Sequence, residues 1–311
     1  MKVHRSFDTL DQIKNAVVTT GTFDGVHIGH KVIINRLNTL AQNIDGESVL
    51  ITFHPHPRRV LYPETAGKGL QLINSQEEKI HLLEKTGLNH LVIINFTKEF
   101  AKTTSQEFVE DILLGRLRAR IIIVGFNHHF GHNREGDYSY LYHLTQKHNF
   151  QVEEIPEQDL ENETVSSTII RKALQEGRIQ RANAYLDHFF IITGKLIDGH
   201  PKCFEIGFPT LEMIIEEDVK LVPPEGVYAI SLNTNDNRRY KGMLNIKKFK
   251  ENQLPSVQVH LFDYSTNYTL RNKTATITFH KRMRDELQLD GADSLKNQLV
   301  KDKTAIEQLI Y

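Results

Sequence analysis

The sequence predicts an α/β domain with a mostly parallel sheet, followed by a small β-barrel with a terminal helix. Three observations carry that expectation. In the first half, apolar β-rich runs alternate with amphipathic segments, the pattern of βαβ units. Those runs are continuously hydrophobic, as in strands whose two faces are both covered by helices. From residue 189 onward strand-like segments dominate, parted by turn clusters, and only the last twenty residues read as helix again.

The predicted strands of the first half are residues 16–20, 48–53, 91–96 and 121–125. Between and after them lie amphipathic stretches at 31–42, 76–85, 106–114 and 138–148. Capping-box patterns open two of these, Ser75-x-x-Glu78 and Thr104-x-x-Glu107. Two further helices, 167–176 and 179–186, close this half. The barrel strands are expected at 189–197, 226–232, 239–246, 257–262 and 274–280. Turn-prone residues separate them, at Asp198-Gly199-His200-Pro201 and at 233–237. The final helix shows Leu295, Leu299, Ile306 and Leu309 at apolar positions. The boundary falls at 185–188, giving domains of residues 1–186 and 187–311, and no internal repeat is present.

Composition narrows the function classes. Hydrophobic residues are 39% and charged residues 25%, enough to bury a core. The formal charge is −1, which argues against a general nucleic-acid binder. One cysteine, Cys203, rules out an internal disulfide framework and a multi-cysteine zinc site. The apolar runs are too short to span a bilayer, and MKVHRSFDTL lacks the apolar core of a signal peptide. A cytoplasmic protein without membrane partners is expected. Oligomeric state is not legible. Of the 16 histidines, 12 precede residue 150, an asymmetry that asks for a cause.

In parallel sheets, ligands bind beyond the carboxyl ends of the strands. The loops at 21–30, 54–59 and 126–137 are therefore the candidates. The strongest is Gly21-Thr22-Phe23-Asp24-Gly25-Val26-His27-Ile28-Gly29-His30, which follows a strand and opens a helix. Its glycines permit a tight turn and a close backbone approach to a ligand. A helix N-terminus offers unpaired N–H groups to a phosphate. His27 and His30 stand three apart and can face the same anion, and Gly29 between them leaves room for a nucleotide against the backbone. The histidines could instead join His54, His56 or His128–His132 around zinc, but no Glu or Cys stands at zinc-hydrolase spacing. Read alone, Pro55 and Pro57 are turn formers, Ser166-Ser167-Thr168 is an N-cap cluster, and His129, His132 and His143 are polar surface residues.

The H-x-G-H pattern resembles the nucleotidyltransferase superfamily, with its Rossmann-like domain. The longer G-T-F-D-G-V-H-x-G-H is similar to the bacterial bifunctional riboflavin kinase/FMN adenylyltransferase (FAD synthetase) family. Three further segments agree in order: Thr52-Phe53-His54-Pro55-His56-Pro57, then Val124–Gly131 with Arg134-Glu135-Gly136-Asp137, then Val165-Ser166-Ser167-Thr168-Ile169-Ile170-Arg171. The resemblance implies ATP + FMN → FAD + pyrophosphate, with Mg²⁺ on the ATP phosphates. It implies His27 and His30 on those phosphates, together with Gly21, Phe23 and Asp24 of their loop. Ser166, Ser167, Thr168 and Arg171 would hold the leaving β- and γ-phosphates. His56, Pro57 and Asn127 fall on the flavin side.

The second half is similar to the riboflavin kinase domain through Gly207-Phe208-Pro209-Thr210, Pro223–Ala229, Val257–Asp263 and residues 281–302. Three positions depart from that family's pattern. Its P-T-A-N reads Pro209-Thr210-Leu211-Glu212, its N-I-G-x-x-P-T loop reads Asn245-Ile246-Lys247, and its catalytic Glu position is Gln258. A neutral amide cannot take the proton that riboflavin's hydroxyl must lose. An FAD synthetase with an impaired kinase site at Thr210, Glu212 and Gln258 is therefore the leading expectation. The alternatives are a fully bifunctional enzyme in which Glu212 or another carboxylate serves, a nucleotidyltransferase for another substrate, and a non-catalytic flavin- or nucleotide-binding regulator.

Overall fold

A computed structural model describes the chain except residues 8–9, 11, 161–162, 200–202, 204, 206, 237, 248–254, 263, 265–269, 289–290 and 311. His200, Pro201, Asn237 and Asp263 of the sequence motifs lie outside the described residues. Residue packing divides the chain into two compact units: Met1–Leu70 with Lys79–Ser166, and Gln71–Glu78 with Ser167–Tyr311.

The first unit is built on a parallel sheet of β1 (Lys2–His4), β2 (Val17–Thr20), β3 (Ser48–His54), β4 (His90–Asn95), β5 (Ile121–Gly125) and β6 (Gln151–Ile155). The strand order is β1-β4-β3-β2-β5-β6. β2 through β5 are buried along nearly their whole length, as their unbroken apolar sequences require. One apolar cluster covers each face of the sheet. Val18, Ile51, Val92 and Ile122 face one way with Phe108, Leu113 and Leu141; Val17, Leu50, Leu91 and Ile123 face the other with Ile34, Leu37 and Leu83. β1 and β6 were not expected. β1 has three residues and β6, QVEEI, is a half-exposed edge strand, so neither carries a long apolar run.

α1 (Ile28–Asn43) packs on β2 and β5. The chain leaves β2 for β3 on one side and crosses back to β5 on the other, so the strand order reverses between the parallel neighbours β2 and β5. The loops after these two strands flank that switch point, the usual ligand crevice of such sheets. α2 (Pro57–Leu61) follows β3, and α3 (Gln76–Glu84) and α5 (Tyr138–Thr145) match the expected periodicity. The stretch expected as a helix over 106–114 differs. Only α4 (Ser105–Glu107), with its Thr104 capping box, is α-helical; Phe108–Arg116 continues as a π-helix. It closes with the Leu117 N–H donating to the Ile112 carbonyl, 3.1 Å, five residues back. The wider turn still buries Phe108, Val109, Ile112 and Leu113, which a 3.6-residue period also places inward. A two-residue ladder, β7 (Asp159–Leu160) with β8 (Glu163–Thr164), completes the described strands here.

The second unit is a closed antiparallel barrel of β9 (Ile191–Asp198), β10 (Leu211–Ile214), β11 (Gly226–Thr234), β12 (Arg239–Lys247), β13 (Ser256–Leu261) and β14 (Thr274–Arg284), in the order β10-β13-β12-β11-β14-β9. β10 was not expected as a strand, and it closes the barrel by pairing with both β9 and β13. α8 (Ala292–Leu309) buries Ile306 against Phe208, Val227, Met243 and Phe262. The Arg284 guanidinium holds buried Asp302 through contacts of 2.6–3.1 Å. α6 (Ser167–Gln175) and α7 (Ile179–Leu186) pack as a pair, and α7 packs on β14.

Residues 71–78 belong to this unit through a buried ion pair. Lys220 and Glu78, both fully buried, meet at 2.7 Å. Lys220 also donates to the carbonyls of Ile73 and Ile191, while Glu78 accepts from the N–H groups of Thr193 (2.7 Å) and Ser75 (3.0 Å). Ser75 Oγ in turn caps the Glu78 N–H at 3.2 Å, completing the predicted capping box.

Candidate functional site

The loop from β2 to α1 holds the densest set of predicted residues. Its backbone is tightly wound: Phe23, Gly25 and Val26 all have positive φ, at 48°, 93° and 43°. For Phe and Val this is a costly conformation that the surroundings must impose. Both side chains are buried, as is Asp24. The turn delivers His27 to the N-cap position of α1, where its side chain makes no cap hydrogen bond. No acidic residue occupies the first turn, so the N-terminal N–H groups and the positive dipole end stand ready for an anion.

His27 and His30 are stacked, with ring centroids 3.6 Å apart, and Phe23 stacks on the far side of His30 at 4.5 Å. Gly29 serves this stack: a Cβ there would press on the His27 ring at 3.3 Å. At Gly21 a Cβ would meet the Phe23 ring at 3.0 Å. Burial, then the charges of His27 and Lys79, hold His30 well below the ordinary histidine range. The buried His30 Nδ1 has no hydrogen-bond partner. A bound polyanion would reverse the charge balance and favour protonated rings.

The β5–α5 loop is the second candidate, and its motif residues have structural duties. Phe130 is buried, and a Cβ on Gly136 would collide with its ring at 2.4 Å. Asp137 caps α5 by accepting from the Tyr140 N–H at 2.8 Å. Asn127 is exposed, in a left-handed conformation with φ 54°. His128 is the residue that sequence reasoning undervalued. Burial, with His129 and Arg134 adding to it, lowers it to about 4, and its buried Nε2 has no hydrogen-bond partner. The neighbouring His129, His132 and His143 are exposed. In the third loop, His56 N-caps α2 by accepting from the Arg58 N–H, with Pro57 at the first helical position.

The remaining predicted residues of this activity straddle the division between units. Ser166 ends the first unit; Ser167, Thr168 and Arg171 lie on α6 in the second. A cavity of about 640 Å³ in the first unit, along the π-helix and Phe100, is lined by none of the predicted residues. Among the described residues, no cluster of three or more His, Cys, Asp or Glu forms a metal cage. No helix among them is long and apolar enough to cross a membrane.

In the barrel, Glu212 on β10 lies directly opposite Gln258 on β13, and Gln258 lies opposite Asn245 on β12. Directly opposed residues share a face, so the three form one polar row across three strands. Their neighbours Leu211, Met213, Val257 and Val259 are buried. Glu212 accepts from Ser256 Oγ at 2.8 Å, and both line a cavity of about 240 Å³. The buried oxygens Thr210 Oγ1 and Asn245 Oδ1 have no hydrogen-bond partner. The sequence groups Glu212 with Gln258, but that they lie directly opposite one another, and β10 itself, come only from the strand register.

Comparison with known proteins agrees with this two-part reading. The FAD synthetase family pattern matches residues 10–169, and the riboflavin kinase pattern matches residues 186–310. The Bacillus subtilis bifunctional riboflavin kinase/FMN adenylyltransferase is 33% identical over 295 residues, covering 93% of this chain and 90% of its own length. The enzyme of the same description from Buchnera aphidicola subsp. Schizaphis graminum is 30% identical over 308 residues, covering 97% of this chain and 96% of its own. A crystal structure from Streptococcus pneumoniae, described as a macrolide-efflux protein, superposes with a TM-score of 0.88 over 98% of both chains at 24% identity, which speaks for the fold alone. With relatives matched from end to end and both halves accounted for, the chain belongs to the bifunctional riboflavin kinase/FMN adenylyltransferase family.

Proposed function

We propose that the chain makes FAD in two steps: the barrel unit phosphorylates riboflavin to FMN, and the first unit transfers AMP from ATP to FMN. The stacked His27–His30 pair at the N-terminus of α1 carries the second step. An oxygen of the FMN phosphate attacks the α-phosphorus of ATP; the bond from that phosphorus to the β-phosphate bridge breaks, and pyrophosphate leaves. The FMN phosphate has a second pKa of ~6 and is mostly dianionic at neutral pH, so no strong base is needed. The site must instead hold two anions together and disperse the leaving charge.

His27, His30 and the α1 N-terminal N–H groups are the donors assigned to the ATP phosphates, with Gly21 and Phe23 shaping the loop. We assign Ser166, Ser167, Thr168 and Arg171 to the departing β- and γ-phosphates. Asn127, with His56 and Pro57, is placed on the flavin side. Mg²⁺ suits this donor set, since it takes hard oxygen ligands from one or two carboxylates and the phosphates themselves. Asp24 is the carboxylate of the loop that would hold it, and the ion would neutralise charge on the leaving pyrophosphate. By residue, the domains are assigned as 1–186 and 187–311, with α6 and α7 packing in the second compact unit.

The impaired-kinase expectation rests on three departures, at Leu211-Glu212, at Asn245-Ile246-Lys247 and, above all, at Gln258. The bifunctional alternative fits better, because the riboflavin kinase pattern spans the barrel and the relatives carry both activities in their descriptions. The strand register adds a reason: the carboxylate absent at 258 is present one strand over at Glu212. Glu212 is assigned to accept the riboflavin hydroxyl proton.

A paired product assay tests this on one purified sample. Riboflavin and FMN are supplied separately with ATP and Mg²⁺, and FMN and FAD are quantified. FAD from both is the expected result. FAD from FMN with no product from riboflavin would reinstate the impaired barrel. No FAD from FMN would remove the central assignment.

A further inference from the structure

Lys79 lies on α3, and by sequence it is one polar position of an amphipathic helix. In the structure it is 7% exposed and points its ammonium at the loop that precedes His27. Lys79 Nζ donates to the Thr22 carbonyl at 3.1 Å and to Thr52 Oγ1 at 3.2 Å. Thr52 Oγ1, at the end of β3, donates to the same Thr22 carbonyl at 3.1 Å. Thr22 immediately precedes the turn with its strained positions Phe23 and Val26. Residues in such conformations cost ~1–3 kcal/mol each and persist only where neighbours over-determine them. Two donors converging on one carbonyl are such a constraint.

A glutamine could supply the same hydrogen bonds without the desolvation penalty of an ammonium. A lysine in that place brings a fixed positive charge, and its charge reaches His30. An anionic substrate is what gains from a charge beside that ring.

We propose that Lys79 is a positioning residue of the adenylyl-transfer site: its ammonium fixes the Thr22 carbonyl, and with it the turn that aims His27 and His30, and supplies positive charge for the triphosphate. The proposal rests on the reading of the first unit as an FMN adenylyltransferase.

The test uses the full chain and three variants, Lys79→Met, Lys79→Gln and Lys79→Arg. FAD formation from FMN is measured against ATP concentration and pH, ATP binding by calorimetry, and the His30 imidazole by NMR titration. Lys79→Met is expected to lower kcat/KM for ATP by ~100-fold, chiefly through KM. Lys79→Arg recovers most of that loss, and Lys79→Gln, a donor without the charge, falls between them. His30 titrates at higher pH in the Met and Gln variants but not in the Arg variant. The pH limb of kcat/KM that His30 sets moves the same way, since that profile reports the free enzyme.

A Lys79→Met enzyme within about threefold of the parent, or a loss that Arg does not recover with His30 unmoved, would overturn the proposal. Should the parent chain make no FAD from FMN, the functional reading fails on its own. Equal ATP binding by parent and Lys79→Met would then overturn the role of Lys79, while weaker binding by the variant with a shifted His30 would support it. If the Met variant does not fold, the contrast between Gln and Arg decides the same question.

Discussion

The two units place their polar machinery differently. In the first, the candidate groups sit on a strained loop and a helix N-terminus, and their positions come from packing: Phe23 on His30, His30 on His27, Lys79 and Thr52 on the Thr22 carbonyl. In the barrel, Glu212, Gln258 and Asn245 sit on adjacent strands, and their positions come from backbone ladder hydrogen bonds. A loop site needs each of its residues where it stands, because each holds another in place. In a sheet row, neighbouring strands present directly opposed residues on the same face. On the proposed reading, the first site keeps its motif residues in one loop, while the barrel offers a carboxylate at Glu212, opposite Gln258.

That contrast can be broken in the barrel first. Glu212→Gln is expected to lower FMN formation from riboflavin by ~10²–10⁴-fold, the usual cost of removing a positioned base. FAD formation from supplied FMN should stay unchanged in the same assay. An equal loss in both reactions would mean that Glu212 acts through folding rather than chemistry. Gln258→Glu sharpens the point. With the carboxylate function already at 212, restoring one at 258 should change riboflavin turnover by less than about tenfold, below the usual range for a lost base.

In the first unit, His30→Ala should cost FAD formation ~10²–10³-fold, as expected for the loss of one preorganised donor to transition-state charge. Steady-state kinetics with FMN as the flavin substrate would read it, and an activity near that of the parent would move the phosphate site elsewhere.

The buried Lys220–Glu78 pair provides a structural counterpart. Lys220→Met leaves Glu78 as an uncompensated buried charge and should destabilise the protein by ~3–5 kcal/mol in urea denaturation. The double change Lys220→Met with Glu78→Leu removes the lone charge but leaves the Thr193 and Ser75 N–H groups and the Ile73 and Ile191 carbonyls without these partners, so it should recover only part of that loss.

The smallest effect is on pH dependence. His128 is lowered from 6.5 to about 4 in the folded chain, and His30 is also lowered. The unfolded chain therefore binds more protons than the folded one once pH drops below 6.5. Stability is fully present above that value and declines as pH falls toward 4. In His128→Asn the urea midpoint should fall less steeply over this window; an unchanged slope would mean that His128 does not remain neutral in the folded state.

The histidine asymmetry of the sequence now has three parts. His27 and His30 form the candidate phosphate site, and His128 is enclosed in the second loop. His4 and His90 meet at 3.0 Å at the opposite end of the sheet, where His90 also contacts Glu47.

The alternation of strands and helices, the two capping boxes, the β-strand-rich second half with its terminal helix, and the loop that carries His27 and His30 follow from the sequence. All of these are local: a period of 2 or 3.6, a cap three residues from its partner, a glycine where a turn must close. Only the tertiary structure decided the rest. β1 pairs with β4 across more than eighty residues, and β10 earns its place by pairing with β9 and β13. Residues 71–78 join the second unit through Lys220, far along the chain. The Lys79 contacts with Thr22 and Thr52, and the opposition of Glu212 and Gln258, arise in the same way. Each depends on which distant segments fold against one another, and local periodicity carries no record of that pairing.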